Sequence, residues 1–148
     1  MESLTTDHVE IEIILDGEPA LVWKAWTDPV TVLKWFGSDP KGWGIFANMD
    51  VRTGGVYQIC FEDSDHTEHT CSGVYQKVEI NRLLEFTWTW KSEPGVETIV
   101  LILLNLEGNK TRMAFRHSNL GSKSIHNYLQ GWKDTFIKLE AIISNLKP

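Results

Sequence analysis

From residue 43 to residue 117 the chain tends to alternate apolar with polar side chains, whereas beyond residue 124 the apolar positions recur every three or four residues. Period two marks strands buried on one face, and a period near 3.6 marks an amphipathic helix. The first regime predicts six antiparallel strands, at about 43–50, 55–62, 67–79, 82–91, 97–107 and 110–117. Their connections are short and rich in turn formers: Thr53-Gly54-Gly55, Asp63-Ser64-Asp65, Ile80-Asn81, Ser92 to Gly95 and Glu107-Gly108-Asn109. Strands joined so tightly form a meander. The second regime predicts one long helix over 125–146, with a stripe of Ile125, Tyr128, Leu129, Trp132, Phe136, Leu139, Ile143 and Leu146. Gly121 and a capping Ser122 precede it.

The N-terminal part is built differently. Val9, Ile11 and Ile13 alternate with His8, Glu10 and Glu12, which predicts a strand ending at the Asp16-Gly17 turn. Pro19 then opens a short helix carrying Leu21, Val22, Ala25 and Trp26. Asp28-Pro29 caps and starts a second, with Val32, Leu33, Trp35 and Phe36, and Gly37 stops it. The Gly- and Pro-rich stretch from Ser38 to Gly44 is the first candidate for a mobile rim loop. The pattern as a whole is α+β: a curved antiparallel sheet wrapped around a long C-terminal helix, with two short helices after the first strand.

Strand alternation also says which side is closed. Leu84, Phe86, Trp88 and Trp90 oppose Glu85, Thr87 and Thr89; Met113, Phe115 and His117 oppose Arg112 and Arg116. A helix against that apolar, aromatic face leaves a pocket unless side chains fill the middle. The strand from Thr98 to Leu106 departs from the rule, since Val100, Ile102 and Leu104 lie on one face and Ile99, Leu101 and Leu103 on the other. Its second face needs a cover, from this chain or from a second protomer in a homodimer.

The composition suits a single domain over residues 1–148. Hydrophobic residues make up 42% of the chain, including seven Trp, six Phe and three Tyr, which excludes the low-hydrophobicity signature of disorder. No apolar run reaches the roughly 18–20 residues of a membrane span. Met1 to Glu10 carry acids and hydroxyls where a secretory signal needs a basic and then an apolar stretch, so the cytoplasm is the expected compartment. There Cys60 and Cys71 are expected as free, semi-buried thiols. A net charge of −6 sets repulsion between the chain and a phosphate backbone, and nucleic acid is not an expected partner.

The residue patterns give no ready catalytic or metal motif. Gly54-Gly55 beside Asp50 reads as a tight connection, with a glycine at positive φ and the carboxylate capping free amides; no Lys-Ser/Thr follows to make a phosphate loop. His66 and His69 stand three apart on a strand, hence on opposite faces, where they do not share an ion. The five His and the many acids permit Ser or Cys triads on paper, but nothing in the sequence fixes one in space. His117 lies on the apolar face, at a strand end next to the helix start. It is expected to point inward near the cavity mouth without a carboxylate partner, because its same-face neighbours Phe115 and Met113 are apolar. Gly131 inside the long helix costs roughly 1 kcal/mol relative to Ala and suggests close packing.

Seven segments occur in an order that resembles the START-like, or SRPBCC, superfamily, in the branch homologous to the activator of the heat-shock-protein-90 ATPase. They are Pro19-Ala20 to Trp26-Thr27-Asp28-Pro29, Trp35-Phe36-Gly37, Asp50 to Tyr57, Gly73-Val74-Tyr75, Leu83 to Trp88, Thr111-Arg112 and Gly131-Trp132. The resemblance spans about Val9 to Ile143. It implies a helix-grip fold around an internal cavity, a fold that serves ligand binders, cyclases and co-chaperone domains alike. Phe36 departs from the pattern: many relatives carry a second Trp there, so the aromatic bulk is kept and an indole donor is lost.

The expected function is binding of a small, mostly apolar or aromatic molecule between the sheet and the C-terminal helix. The expected ligand-binding residues are Tyr57, Phe61, Trp88, Trp90, Met113, Phe115, His117, Tyr128, Trp132 and Phe136. No catalytic residue, metal or cofactor is assigned. Two alternatives stand beside this reading: a cyclase- or hydrolase-type enzyme using His117 and a Tyr in the same cavity, and a co-chaperone-like module with a chaperone partner.

Overall fold

The alternation beginning at His8 folds into a strand, and a shorter one precedes it. In the computed structural model, which describes residues 2–4, 7–121 and 126–147, β1 (Glu2–Leu4) pairs antiparallel with β2 (His8–Leu15). Three residues are too few to show a period, so β1 left no readable pattern. Next come α1 (Pro19–Thr27) and α2 (Pro29–Val32), both begun by proline, whose fixed φ suits the first turn. The Asp28 carboxylate caps α2 by accepting from the Thr31 backbone N–H at 2.9 Å and from its hydroxyl at 2.6 Å. The amides of Trp35 and Phe36 both return to the Val32 carbonyl, and Gly37, at φ +107°, turns the chain away.

The meander follows: β3 (Trp43–Met49), β4 (Val56–Glu62), β5 (Glu68–Glu79), β6 (Leu83–Trp90), β7 (Thr98–Glu107) and β8 (Lys110–Ser118). Every end lies within one residue of the pattern-based expectation. Gly54 takes φ +84°, which favours glycine, and a Cβ on Gly55 would meet the Asp50 carbonyl oxygen at 1.9 Å, so the second position has no room for a side chain. The Asp50 carboxylate is not the amide cap that the sequence suggested; it accepts from Arg52 Nε at 2.9 Å.

The last element, α3 (Tyr128–Leu146), starts three residues later than periodicity predicts. Asn127 caps it, its side chain accepting from the Gln130 amide at 3.2 Å. Ser122 and Ile125, the expected cap and first stripe residue, lie outside the described residues.

All strands join one antiparallel sheet in the order β1-β2-β8-β7-β6-β5-β4-β3. β2 therefore closes onto β8 through eight paired residues, from His8 opposite Ser118 to Leu15 opposite Thr111. The α1–α2 segment carries the chain to the far edge. The inner face of the sheet and the stripe Tyr128, Trp132, Phe136, Leu139 and Ile143 of α3 enclose one continuous core with Val22, Ala25 and Trp26 of α1. Its centre is filled by aromatic rings: Trp26 stands within 6.4 Å, centroid to centroid, of Trp35, Phe86, Phe115, Trp132 and Phe136.

Val100, Ile102 and Leu104 of β7 are buried, whereas Ile99, Leu101 and Leu103 on its other face are half-buried. Leu101 lies in the ladder between Glu85 and Arg116, whose long stems flank it. The outer face is thus partly covered within the chain. Cys60 and Cys71 are both free and fully buried, deeper than the semi-buried placement expected of them. Cys71 pairs with Ile59 and not with Cys60, so the two thiols point to opposite faces of the sheet. Among the described residues no helix is long and apolar enough to cross a membrane.

Candidate functional site

The aromatic filling stops short at one end of the sheet. Where the first two turns of α3 pass the ends of β4, β5 and β6, the two layers part around a partly open cavity of about 330 Å³. Phe61, His69, Trp88 and Trp90 come from the strands, Tyr128, Gln130, Gly131, Trp132, Asp134 and Thr135 from α3, and Phe36, Gly37 and Ser38 from the turn after α2. His126 and Asn127 complete the rim. A second void, near Tyr57, Tyr75 and Phe86, measures about 10 Å³ and holds nothing larger than water.

Five of the ten expected ligand-binding residues line the cavity: Phe61, Trp88, Trp90, Tyr128 and Trp132. The other five do not. Tyr57 borders the small void and donates its hydroxyl proton to the Thr87 carbonyl at 2.7 Å. Met113 accepts from Trp26 Nε1 at 3.4 Å, and Phe115 packs between Trp132 and Phe136 in the filled centre. These residues share a face with the lining ones, but farther along the sheet, where no gap larger than a water remains.

His117 is the instructive correction. It is fully buried behind Trp88 and Trp132 and not at the cavity mouth. Trp132 Nε1 donates to its Nδ1 at 2.9 Å, and because an indole nitrogen can only donate, that ring nitrogen carries no proton. The proton sits on Nε2, which donates to Thr98 Oγ1 at 2.7 Å; that hydroxyl in turn donates to the Trp88 carbonyl at 3.1 Å. Burial without a counter-charge pushes the imidazole pKa down to about 3. Both nitrogens are engaged and the ring is neutral, so His117 positions Trp132 in the cavity wall and has no free atom for acid–base work.

Sequence reasoning missed the rim. His69 is half-buried at the rim: its Nε2 lies 2.7 Å from Asp63 Oδ2 and its ring packs on Phe61 and Trp90. His66, at φ +70°, instead meets Glu62 at 2.7 Å. His126 stacks on Trp90 with centroids 4.6 Å apart, and its Nε2 lies 3.0 Å from Glu93 Oε1. Partial burial holds its pKa below the usual range against the pull of Glu93. Asp134 accepts from Gln130 Nε2 at 2.9 Å. Among the described residues no cluster of three or more His, Cys, Asp or Glu is placed to hold a metal.

Two features shape access. Gly131 is not a close-packing residue: a Cβ there would meet nothing within 4 Å, because its helix face borders the cavity. The stretch from Ser38 to Gly44 is pinned, not loose. The Asp39 carboxylate accepts from the Ser64 hydroxyl at 2.7 Å, the Ser64 amide at 2.8 Å and the Lys41 amide at 2.9 Å, while Lys138 Nζ donates to the Asp39 carbonyl at 2.9 Å.

A family model described as Activator of Hsp90 ATPase homolog 1-like protein matches residues 16–144. No curated protein matches the sequence. Among solved structures, a protein from Arthrobacter aurescens superposes with a TM-score of 0.87 at 18% identity, over 98% of this chain and 91% of its own. A protein from Nitrosomonas europaea gives 0.82 at 21% identity, covering 97% of this chain and 98% of its own. An AHSA1-like protein from Aeromonas hydrophila gives 0.75 at 17% identity, with 93% of each chain covered. At these identities the likeness is one of fold.

Proposed function

Since the chain belongs to the family of Activator of Hsp90 ATPase homolog 1-like proteins, we propose that it is a binding module of that family which takes a small, mostly apolar or aromatic molecule into the cavity beside the first turns of α3. The observation that carries this reading is the cavity itself. A core that fills its centre with interlocking rings leaves about 330 Å³ open at one end, within the size range of small-molecule sites, roughly 300–1,000 Å³. Two buried free thiols suit a reducing compartment such as the cytoplasm.

Gly131 supplies the test. Its backbone is helical and its missing side chain faces open space, so Gly131→Leu is expected to fold normally and to fill the cavity. Native mass spectrometry of the protein purified from its own host should show a bound small molecule on the parent and none on the variant. An equal load on both would place the ligand elsewhere and overturn the reading.

The second reading, a co-chaperone-like contact with a chaperone, has one observation of its own in favour: the edge strand β3 exposes Trp43, Ile45 and Phe46. Stimulation of a chaperone ATPase that survives Gly131→Leu and is lost on Trp43→Ser would favour it. An enzymatic reading through His117 finds no support in the geometry, because the imidazole is neutral, fully bonded and out of the cavity.

A further inference from the structure

The polar part of the cavity wall is one edge of α3. Gln130, Gly131 and Asp134 lie three or four residues apart, so they share a strip of helix surface, across the cavity from Phe61, Trp88 and Trp90 of the strands. Asp134 is half-buried there. Its Oδ1 accepts from Gln130 Nε2 at 2.9 Å, and this neutral partner leaves the carboxylate its full charge. A carboxylate offers about four acceptor positions, of which that contact uses one.

The groups around Asp134 do not balance that charge. Both histidines of the lining are matched by other acids, His69 by Asp63 and His126 by Glu93. Lys138, one turn beyond Asp134 on α3, is turned elsewhere: its Nζ donates to the Asp39 carbonyl at 2.9 Å, and the acids that act on it are Asp39 and Asp63. Among the described residues no Lys, Arg or His forms an ion pair with Asp134. The N-terminus of α3 contributes roughly half a unit of positive charge, less than the full negative charge of Asp134, and Asn127 takes up one of its amides. The balance in this wall is negative, on a chain of net charge −6.

We propose that the cavity takes a largely apolar amine, its ammonium group pairing with Asp134 at the mouth and its hydrocarbon body lying against the rings inside. This rests on the cavity reading above and adds to it a charge class. A protonated amine brings the donors that a carboxylate with spare lone pairs accepts, and a charge-assisted bond is roughly twice as strong as a neutral one. An anionic ligand would meet Asp134 as a like charge, and a neutral one would leave the carboxylate to water.

Probes that share one ring system test it on the full chain: 2-naphthylmethylamine, protonated at about pH 7, 2-naphthylmethanol and 2-naphthoate, each titrated by isothermal calorimetry. The amine is expected to bind about tenfold more tightly than the alcohol, in line with one charge-assisted hydrogen bond at a half-buried site, and the naphthoate more weakly than either. Asp134→Asn keeps an acceptor for Gln130 and removes the charge, so it should bring the amine-to-alcohol ratio to about one. A ratio near one in the parent, or a preference for the amine that survives Asp134→Asn, would sink the amine proposal and leave the cavity reading standing. Tightest binding of the naphthoate would replace it with an anion site. Gly131→Leu should remove binding of amine and alcohol alike; amine binding that persists there would be surface ion pairing and would overturn the proposal. Failure of every probe to bind the parent would overturn both readings.

Discussion

His117 sits neutral where an imidazolium would have no counter-charge, and this has a consequence for stability. Its pKa falls to about 3 in the folded chain from an ordinary value near 6.5, so between those two values the unfolded chain holds a proton that the folded chain does not. Stability is therefore retained above pH ~6.5 and lost as the pH falls toward 3, by up to about 1.4 kcal/mol per pH unit from this group. His117→Phe should cost roughly 1–3 kcal/mol at pH 7.5, because the Trp132 indole loses its acceptor. It should also remove that acid slope, so that parent and variant converge on acidification. Urea titrations at pH 7.5, 5.5 and 4.5 measure the difference; a gap that stays constant with pH would mean that the imidazole is solvated in the native state.

At the scale of elements, the cavity exists because α3 and the turn after α2 are held at a fixed distance from β4–β6. Asp39 is the tie. Hydrogen bonds from the Ser64 hydroxyl, the Ser64 amide and the Lys41 amide hold its carboxyl at a pKa of about 2. A depressed carboxylate contributes above its ordinary pKa, so the tie is intact at neutral pH and is lost as the pH falls from about 4 toward 2. Asp39→Ala should leave the melting temperature nearly unchanged, since its hydrogen bonds lie at the solvent-exposed surface, while raising amide exchange at Lys41 and Ser64 and speeding ligand release. Asp39→Asn, which keeps an acceptor, should lie between. Unchanged exchange in the Ala variant would show that Lys138 alone fixes the rim.

For the whole molecule, the decisive contact is between β2 and the last strand, β8. β2 and β8 form eight residue pairs across about a hundred residues of sequence, and one continuous aromatic core links them to α1 and α3. No part of that core closes without the rest. Unfolding should therefore be a single transition, with tryptophan fluorescence and far-ultraviolet circular dichroism superimposing. Refolding should fall in the slow, millisecond-to-second class of non-local β topologies. Separate transitions from the two probes would show that the β3–β6 meander folds apart from the β2–β8 closure.

The sequence determined the elements, and through them the fold family. Period-two alternation located six strands to within a residue, proline and Asp28 located the starts of the two short helices, the second of which ends at Val32 and not at Phe36, and the 3.6-residue stripe located α3 up to its start. These are local signals, because a strand or helix repeats its own geometry whatever lies across from it. Tertiary structure decided which inward side chains became cavity wall and which became filling. Phe115 and Trp88 carry the same signal on two strands of one sheet, β8 and β6, with β7 between them; Phe115 is closed in by Trp132 and Phe136, whereas Trp88 borders the open space. Periodicity fixes the face a side chain points to, but not the distance to the surface opposite. For the same reason the pattern placed His117 inward and could not show that Thr98 and Trp132 would occupy both its nitrogens, or that Asp134 would stand in the cavity wall.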